Sequence, residues 1–144
     1  MSDPLEIQFE EDLEPFDTQG LAEKTLALMA AAQITRPVNL LFCSPQSIAE
    51  MNGQYRGQPK ATDILSFGYD DPQEPLGDLA LCLEVAQAQA QEFGLELEEE
   101  LLRLLAHGLV HLLGYDHQSE VEEAAMLAME RRLLAAIGLE GLYP

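Results

Sequence analysis

The sequence predicts a single domain in which one small sheet of about four strands packs with about five helices, an α+β or mixed α/β fold. Three observations carry this expectation. Short apolar or alternating runs recur through the first half of the chain and a little beyond. Helical periodicity separates them, and the remainder of the chain is helical in pattern. The 144 residues form one domain, 1–144, long enough to bury a core.

Leu5 to Phe9 alternates apolar and polar residues and reads as a strand. Asp17 or Thr18 can cap a helix whose inward positions are Leu21, Thr25, Leu28, Met29 and Ala32. Pro37 to Cys43 is a second strand opened by proline. Ser44-Pro45 pairs a capping residue with proline at the first helical position, and Ile48, Met51 and Tyr55 give that helix one apolar face. Gly57 to Lys60 is a loop. Thr62 to Phe67 and Leu76 to Leu83 are strands separated by the turn-rich segment 70–75. Glu84 to Phe93 is helical and stops at Gly94. Glu98, Glu99 and Glu100 suit the start of the next helix, where the dipole favours acid and solvent covers the charge. That helix runs to about Leu113 and carries leucine on most sides, so it is expected to be buried. Ser119-x-x-Glu122 is a capping box for a last helix reaching about Ile137.

Seven basic against 26 acidic residues give a formal net charge of −19. No broad basic face exists to capture nucleic acid, and binding of bare RNA should depend only shallowly on salt. An anionic membrane repels such a surface. No apolar run is long enough to span a bilayer, and the acidic N-terminus does not resemble a signal peptide. Cys43 and Cys82 sit in apolar stretches without CxxC spacing and read as buried, reduced thiols. A cytoplasmic location is the expectation.

The three histidines of the chain, His107, His111 and His117, fall within eleven residues. His107 and His111 are four apart, so both rings project from one helical face, the spacing by which one helix gives a metal two ligands. A continuous helix would carry His117 about 15 Å from His107. The helix must therefore stop, and Gly114 is suited to end it. The pattern is two ligands on a helix, a glycine stop and a third ligand returned by the turn. Three neutral nitrogens leave a fourth position open, as in catalytic centres, and zinc suits imidazole, though other divalent transition metals do too. The metalloprotease helix reads His-Glu-x-x-His, with glutamate as base. Here position 108 is glycine, which counts against peptide hydrolysis.

The segment His107 to His117 carries an H-x3-H-x5-H pattern with Gly114-Tyr-Asp. Together with Asn52-Gly-Gln-Tyr-Arg56, Thr62-Asp-Ile-Leu-Ser-Phe67 and Gly77-Asp78, it closely resembles the YbeY-type bacterial endoribonucleases. These motifs stand in the family's order over residues 52–117. The resemblance implies a compact α+β metalloprotein with a small mixed sheet and its metal site on the buried helix and the following turn. It implies a zinc-dependent endoribonuclease that prefers single strands. It implies action in ribosomal RNA maturation, notably at the 3′ end of small-subunit RNA, and in ribosome quality control. It assigns metal ligation to His107, His111 and His117, and substrate contact and activity to Arg56.

Arg56 and Lys60 lie together beside a loop, and a guanidinium can grip a phosphate through two hydrogen bonds. Both are candidate substrate-binding residues, and Arg56 is also the candidate catalytic residue. Asp63, Asp78 and Asp116 are weaker candidates to orient a ligand or take a proton, as are Ser66 and Tyr115 for hydroxyl contacts. Arg103, Arg131 and Arg132 lie on glutamate-rich helices and are expected to form surface pairs worth little. Expected partners are single-stranded or ribosomal RNA, and basic small-subunit ribosomal proteins docking on the acidic surface. Two other functions fit parts of this pattern. A non-catalytic ribosome-assembly factor would use the metal for its fold, and a zincin-like metalloprotease would use the three-histidine spacing.

Overall fold

Four strand patterns pair into one mixed sheet of order β1-β2-β4-β3. The computed structural model describes residues 3–116 and 118–142. Strands β1 (Leu5–Phe9), β2 (Val38–Cys43) and β4 (Gly77–Cys82) run parallel, and β3 (Ile64–Gly68) lies antiparallel to β4 at the edge. The parallel pair β1–β2 requires a crossover, supplied by α1 (Gln19–Ala31). The other helices are α2 (Pro45–Arg56), α3 (Leu83–Phe93), α4 (Leu97–Leu112) and α5 (Glu120–Ala136).

Side-chain alternation gives the sheet two apolar faces. Leu40, Phe42, Leu79, Leu81 and Ile64 point to the larger core, where they meet Leu28 of α1, Leu105 and Leu109 of α4, and Leu133 of α5. Leu65, Ala80, Cys43 and Cys82 point the other way and are covered by Ile48 and Met51 of α2. Helices α2 and α4 therefore lie on opposite faces. Phe9, Phe16 and Phe42 close the β1 end of the larger core, with ring centroids 5.1–5.3 Å apart.

The expected punctuation is present at most boundaries. The Ser44 hydroxyl accepts from the Ser47 N–H at 3.1 Å, and the Ser119 hydroxyl does the same for Glu122 at 3.1 Å; the expected box is only half formed, because the Glu122 carboxylate accepts from the Gln118 N–H at 3.3 Å and not from Ser119. Gly57, Gly94 and Gly114 all adopt positive φ just beyond α2, α3 and α4. Strand β3 begins at Ile64 rather than Thr62, because Asp63 turns its carboxylate onto the Ile64 N–H at 2.7 Å. Strand β4 ends at Cys82 and passes directly into α3.

The acidic start of α4 differs from the expected solvated face. Glu96 caps it, making a reciprocal box with Glu99. Glu100 is completely buried and holds Arg103 through two hydrogen bonds of 2.6 and 2.7 Å. Arg103 also lies over the Phe93 ring, 5.6 Å from its centroid. The expectation of a weak surface pair is corrected here, since removing one partner of a buried pair strands the other's charge. Arg36, which the sequence did not single out, donates to the carbonyls of Tyr69, Asp71, Glu74 and Pro75 and so holds the β3–β4 connection.

Cys43 and Cys82 face each other in the β2–β4 register, both buried and reduced. Burial pushes the Cys43 thiol up to about 12 and also raises that of Cys82. A raised pKa leaves each sulfur as the unreactive thiol at neutral pH. The folded protein is expected to resist alkylation at both cysteines, and the denatured protein to label at both. Rapid labelling of either in the native state, read by mass spectrometry, would contradict this placement.

Candidate active site

Helix α4 is leucine-rich nearly all round, so its polar residues have one way out. Between Leu101 and Val110 every residue is buried except Arg103 and His107, and His111 continues the same stripe one turn on. The two imidazoles thus share the single open ridge of a buried helix, as their spacing predicts. They are not core histidines.

His107 meets α5 across this ridge. Its Nδ1 lies 3.1 Å from an Oε of Glu130, which is only 4% exposed. The other ring nitrogen, Nε2, is directed away from that contact. Glu130 was not foreseen. It is one of 26 acidic residues and stands 23 positions from His107, and no local pattern marks it.

Gly108 faces the opposite way, into the sheet. A Cβ built there would lie 2.9 Å from Leu79 Cδ2 and 3.1 Å from Ile64 Cδ1. The position where a protease helix carries its glutamate is therefore packed against β3 and β4, away from the ridge.

The helix ends at Leu112, and Gly114 (φ 101°) takes up the left-handed turn expected of it. Beyond it, Gly114, Asp116, Gln118 and Glu122 border a cleft of about 520 Å³. His117, the expected third ligand, lies outside the described residues. Among the described residues no three His, Cys, Asp or Glu side chains form a set able to hold an ion. The donors that are described do suit a metal: two imidazoles one turn apart, with a carboxylate behind one of them.

Arg56 is the last residue of α2 and is exposed, on the face of the sheet opposite α4. The segment around it is held by specific contacts. Asn52 is buried and donates to the Lys60 carbonyl at 3.0 Å. A Cβ on Gly53 would lie 3.2 Å from Pro59, so glycine lets the loop fold back on the helix. The Tyr55 ring packs edge-on against Phe67 with centroids 5.1 Å apart. Tyr55 is 69% exposed, so it covers the rim of the smaller core rather than entering it. Among the described residues no carboxylate pairs with the side chains of Arg56 or Lys60. Lys24, by contrast, pairs with Glu98.

Arg56 and the histidines approach the same end of the edge strand. Tyr55 reaches Phe67, near the end of β3, from one face. From the other face Leu112, next to His111, packs against Gly77, the register partner of Gly68.

The weaker candidates separate. Asp63 is engaged at its own strand end by the Ile64 N–H, the Thr62 hydroxyl and the Gln89 amide. Asp78 lies on the α2 side of the sheet, where it accepts from Asn39 Nδ2 at 2.9 Å and from the Tyr69 hydroxyl. That hydroxyl's pKa is raised, chiefly by donating to the carboxylate. Neither aspartate contacts His107 or His111 in the described structure. Ser66 is half-buried in β3, while Tyr115 and Asp116 border the turn after α4.

A mixed four-stranded sheet with helices on both faces defines the class, an α+β domain. Comparison with known proteins makes it specific. Residues 6–138 match the family model described as Endoribonuclease YbeY. The chain is 43% identical over 141 residues to Endoribonuclease YbeY of Synechococcus sp. (strain RCC307), covering 92% of this chain and 86% of that protein. It is 35% identical over 128 residues to the protein of that name from Methylocella silvestris, covering 87% and 70%. The solution structure of TM1509 from Thermotoga maritima superposes with a TM-score of 0.60 at 25% identity, covering 93% of this chain and 91% of that one. The chain belongs to the YbeY endoribonuclease family.

Gly108 supplies a direct check on the site's geometry. Gly108→Glu restores the protease spelling, yet drives a charged side chain into Leu79 and Ile64. It is expected to lower unfolding stability by about 4 kcal/mol or more and to create no peptidase. A variant as stable as the parent that digests an unstructured protein would show that position 108 faces the histidines instead.

Proposed function

We propose that this chain is a single-strand-preferring, metal-dependent endoribonuclease, with residues 1–144 forming its single catalytic domain. It acts in ribosomal RNA maturation, at the 3′ end of small-subunit RNA, and in ribosome quality control. Family membership supports the reaction class. The structural observation that carries the reading is the pair of imidazoles, His107 and His111, on the one open ridge of an otherwise buried helix.

In this reading His107, His111 and His117 hold one Zn2+ per chain, or another divalent transition metal. When bound, the ion supplies positive charge for a phosphate oxygen and makes water more acidic. Arg56 grips the scissile phosphate and stabilises charge that develops on it. Lys60, held nearby through its backbone by Asn52, adds a second cation for the RNA strand. Gly108 speaks against the protease reading, because no glutamate fits at the usual position of the base.

The net charge of −19 shapes the choice of partner. Long-range attraction to bare RNA is weak, so the acidic surface suits a basic small-subunit ribosomal protein that brings RNA to Arg56. No helix among the described residues is long and apolar enough to cross a membrane. The cytoplasm, where ribosomal RNA is processed, is the proposed location.

The test is cleavage of a labelled single-stranded RNA by the Zn2+-loaded protein, alongside identically purified variants. The parent is expected to cut, and a chelator to stop it. His111→Ala is expected to lose metal and activity together. Arg56→Ala is expected to keep its metal and lose about 10²–10³-fold in rate, the scale for removing one group that stabilises transition-state charge. Equal cutting by the parent and His111→Ala would mark a contaminant. An Arg56→Ala rate equal to the parent's would remove the phosphate role.

A further inference from the structure

We infer that Glu130 is a positioning residue for His107, fixing the imidazole with its hydrogen on Nδ1 so that Nε2 is presented as the metal donor. The inference deepens the proposed function, since it rests on His107 being a ligand. It adds a residue from a different helix, outside every motif that the sequence displays.

The geometry is specific. Nδ1 of His107 stands 3.1 Å from Oε2 of Glu130. An ionised carboxylate only accepts hydrogen bonds, so the hydrogen between them belongs to Nδ1. A neutral imidazole has one N–H, and placing it on Nδ1 leaves the lone pair on Nε2. Without an acceptor the ring is free to exchange tautomers and to rotate about its side-chain bonds. Each arrangement with the lone pair misplaced is lost to ligation.

The carboxylate is itself held. Met126, Leu133 and Leu134, on the same helix, are buried in the main core and anchor α5 against α4. Glu130 is 4% exposed, so its side chain is held in place and little water competes for it. Burying a carboxylate is costly, and a glutamate kept for solubility would face solvent, as most of the acidic residues on α5 do. Carboxylates that orient a ligating histidine typically contribute 10–100-fold to metal affinity.

The experiment measures Zn2+ affinity by competition with a chromophoric chelator, using the metal alone as probe and the full chain throughout. Thermal unfolding of each metal-free variant reports whether it is folded. Glu130→Ala is expected to bind about 10–100-fold more weakly than the parent. Glu130→Gln, whose side-chain carbonyl still accepts from Nδ1, is expected to recover most of that loss. Nitrogen NMR of the metal-free parent at mildly alkaline pH is expected to show the His107 hydrogen on Nδ1, a signature that a purely structural glutamate would not set.

A folded Glu130→Ala that binds Zn2+ within about twofold of the parent would overturn the inference. So would a parent His107 carrying its hydrogen on Nε2, which decides the matter even if the alanine variant fails to fold. His107→Ala separates the two levels. If it binds as tightly as the parent, the ligand role falls and the inference with it. If it loses binding while Glu130→Ala does not, only the role of Glu130 falls.

Discussion

The close approach of α4 to strands β3 and β4 fixes the rest of the molecule. Gly108 lets the helix backbone settle against Leu79 and Ile64, and Gly77 opens the strand to Leu112 one turn further on. At Gly77 a Cβ would also stand 2.6 Å from the Phe67 carbonyl, a backbone atom that cannot swing aside. These contacts set both the depth and the rotation of α4. With the rotation set, residues 103, 107 and 111 can only form the outward ridge. The feature that opposes a protease glutamate at position 108 is the same one that aims the histidines outward.

A chain with 26 acidic and seven basic residues must also place its charges with care. Three polar arrangements take on this task along α4. Glu96 and Glu99 satisfy the first backbone N–H groups. Glu100 turns inward and is neutralised by Arg103, which is stacked on Phe93. Glu130 arrives from α5 to meet His107. A buried ion pair is a poor source of net stability, because desolvation offsets its attraction. Its consequence here is geometric: Glu100–Arg103 gives the start of α4 a defined polar neighbourhood one turn before His107.

Local chemistry made much of this legible. The first strand announced itself by alternation and the second by an apolar run opened by proline, Ser44-Pro45 and Ser119-x-x-Glu122 by capping, and His107 and His111 by a four-residue spacing that only a helix turns into one face. What stayed hidden depends on contacts distant in sequence. Arg36 binds carbonyls more than 30 residues away, and carbonyls leave no trace in the identity of the residue. Glu100 looks like its neighbours Glu98 and Glu99 until the helix phase buries it. Tyr55 follows the apolar stripe of α2 but overhangs the rim of the sheet, because α2 covers only part of that face. Asn52 and Gly53 belong to a recognisable motif, yet their work, pinning the Lys60 loop, appears only when that loop is seen folded back.

The placement of Arg56 bears on the substrate. It leaves α2 on one face of the sheet while the histidine ridge belongs to a helix on the other, so the sheet stands between them. They meet only around β3, an edge strand paired on one side, to β4. Tyr55 against Phe67 and Leu112 against Gly77 bring the two helix ends to the same end of that edge. On the proposed function, RNA touched by both must bend over this edge, which a flexible single strand does at little cost. A duplex is far stiffer, with a persistence length of roughly 150 bp for DNA, and would pay a bending energy at such a corner. The proposed preference for single strands would then follow from two helices reaching one edge strand from opposite faces, without any need for a base-reading pocket.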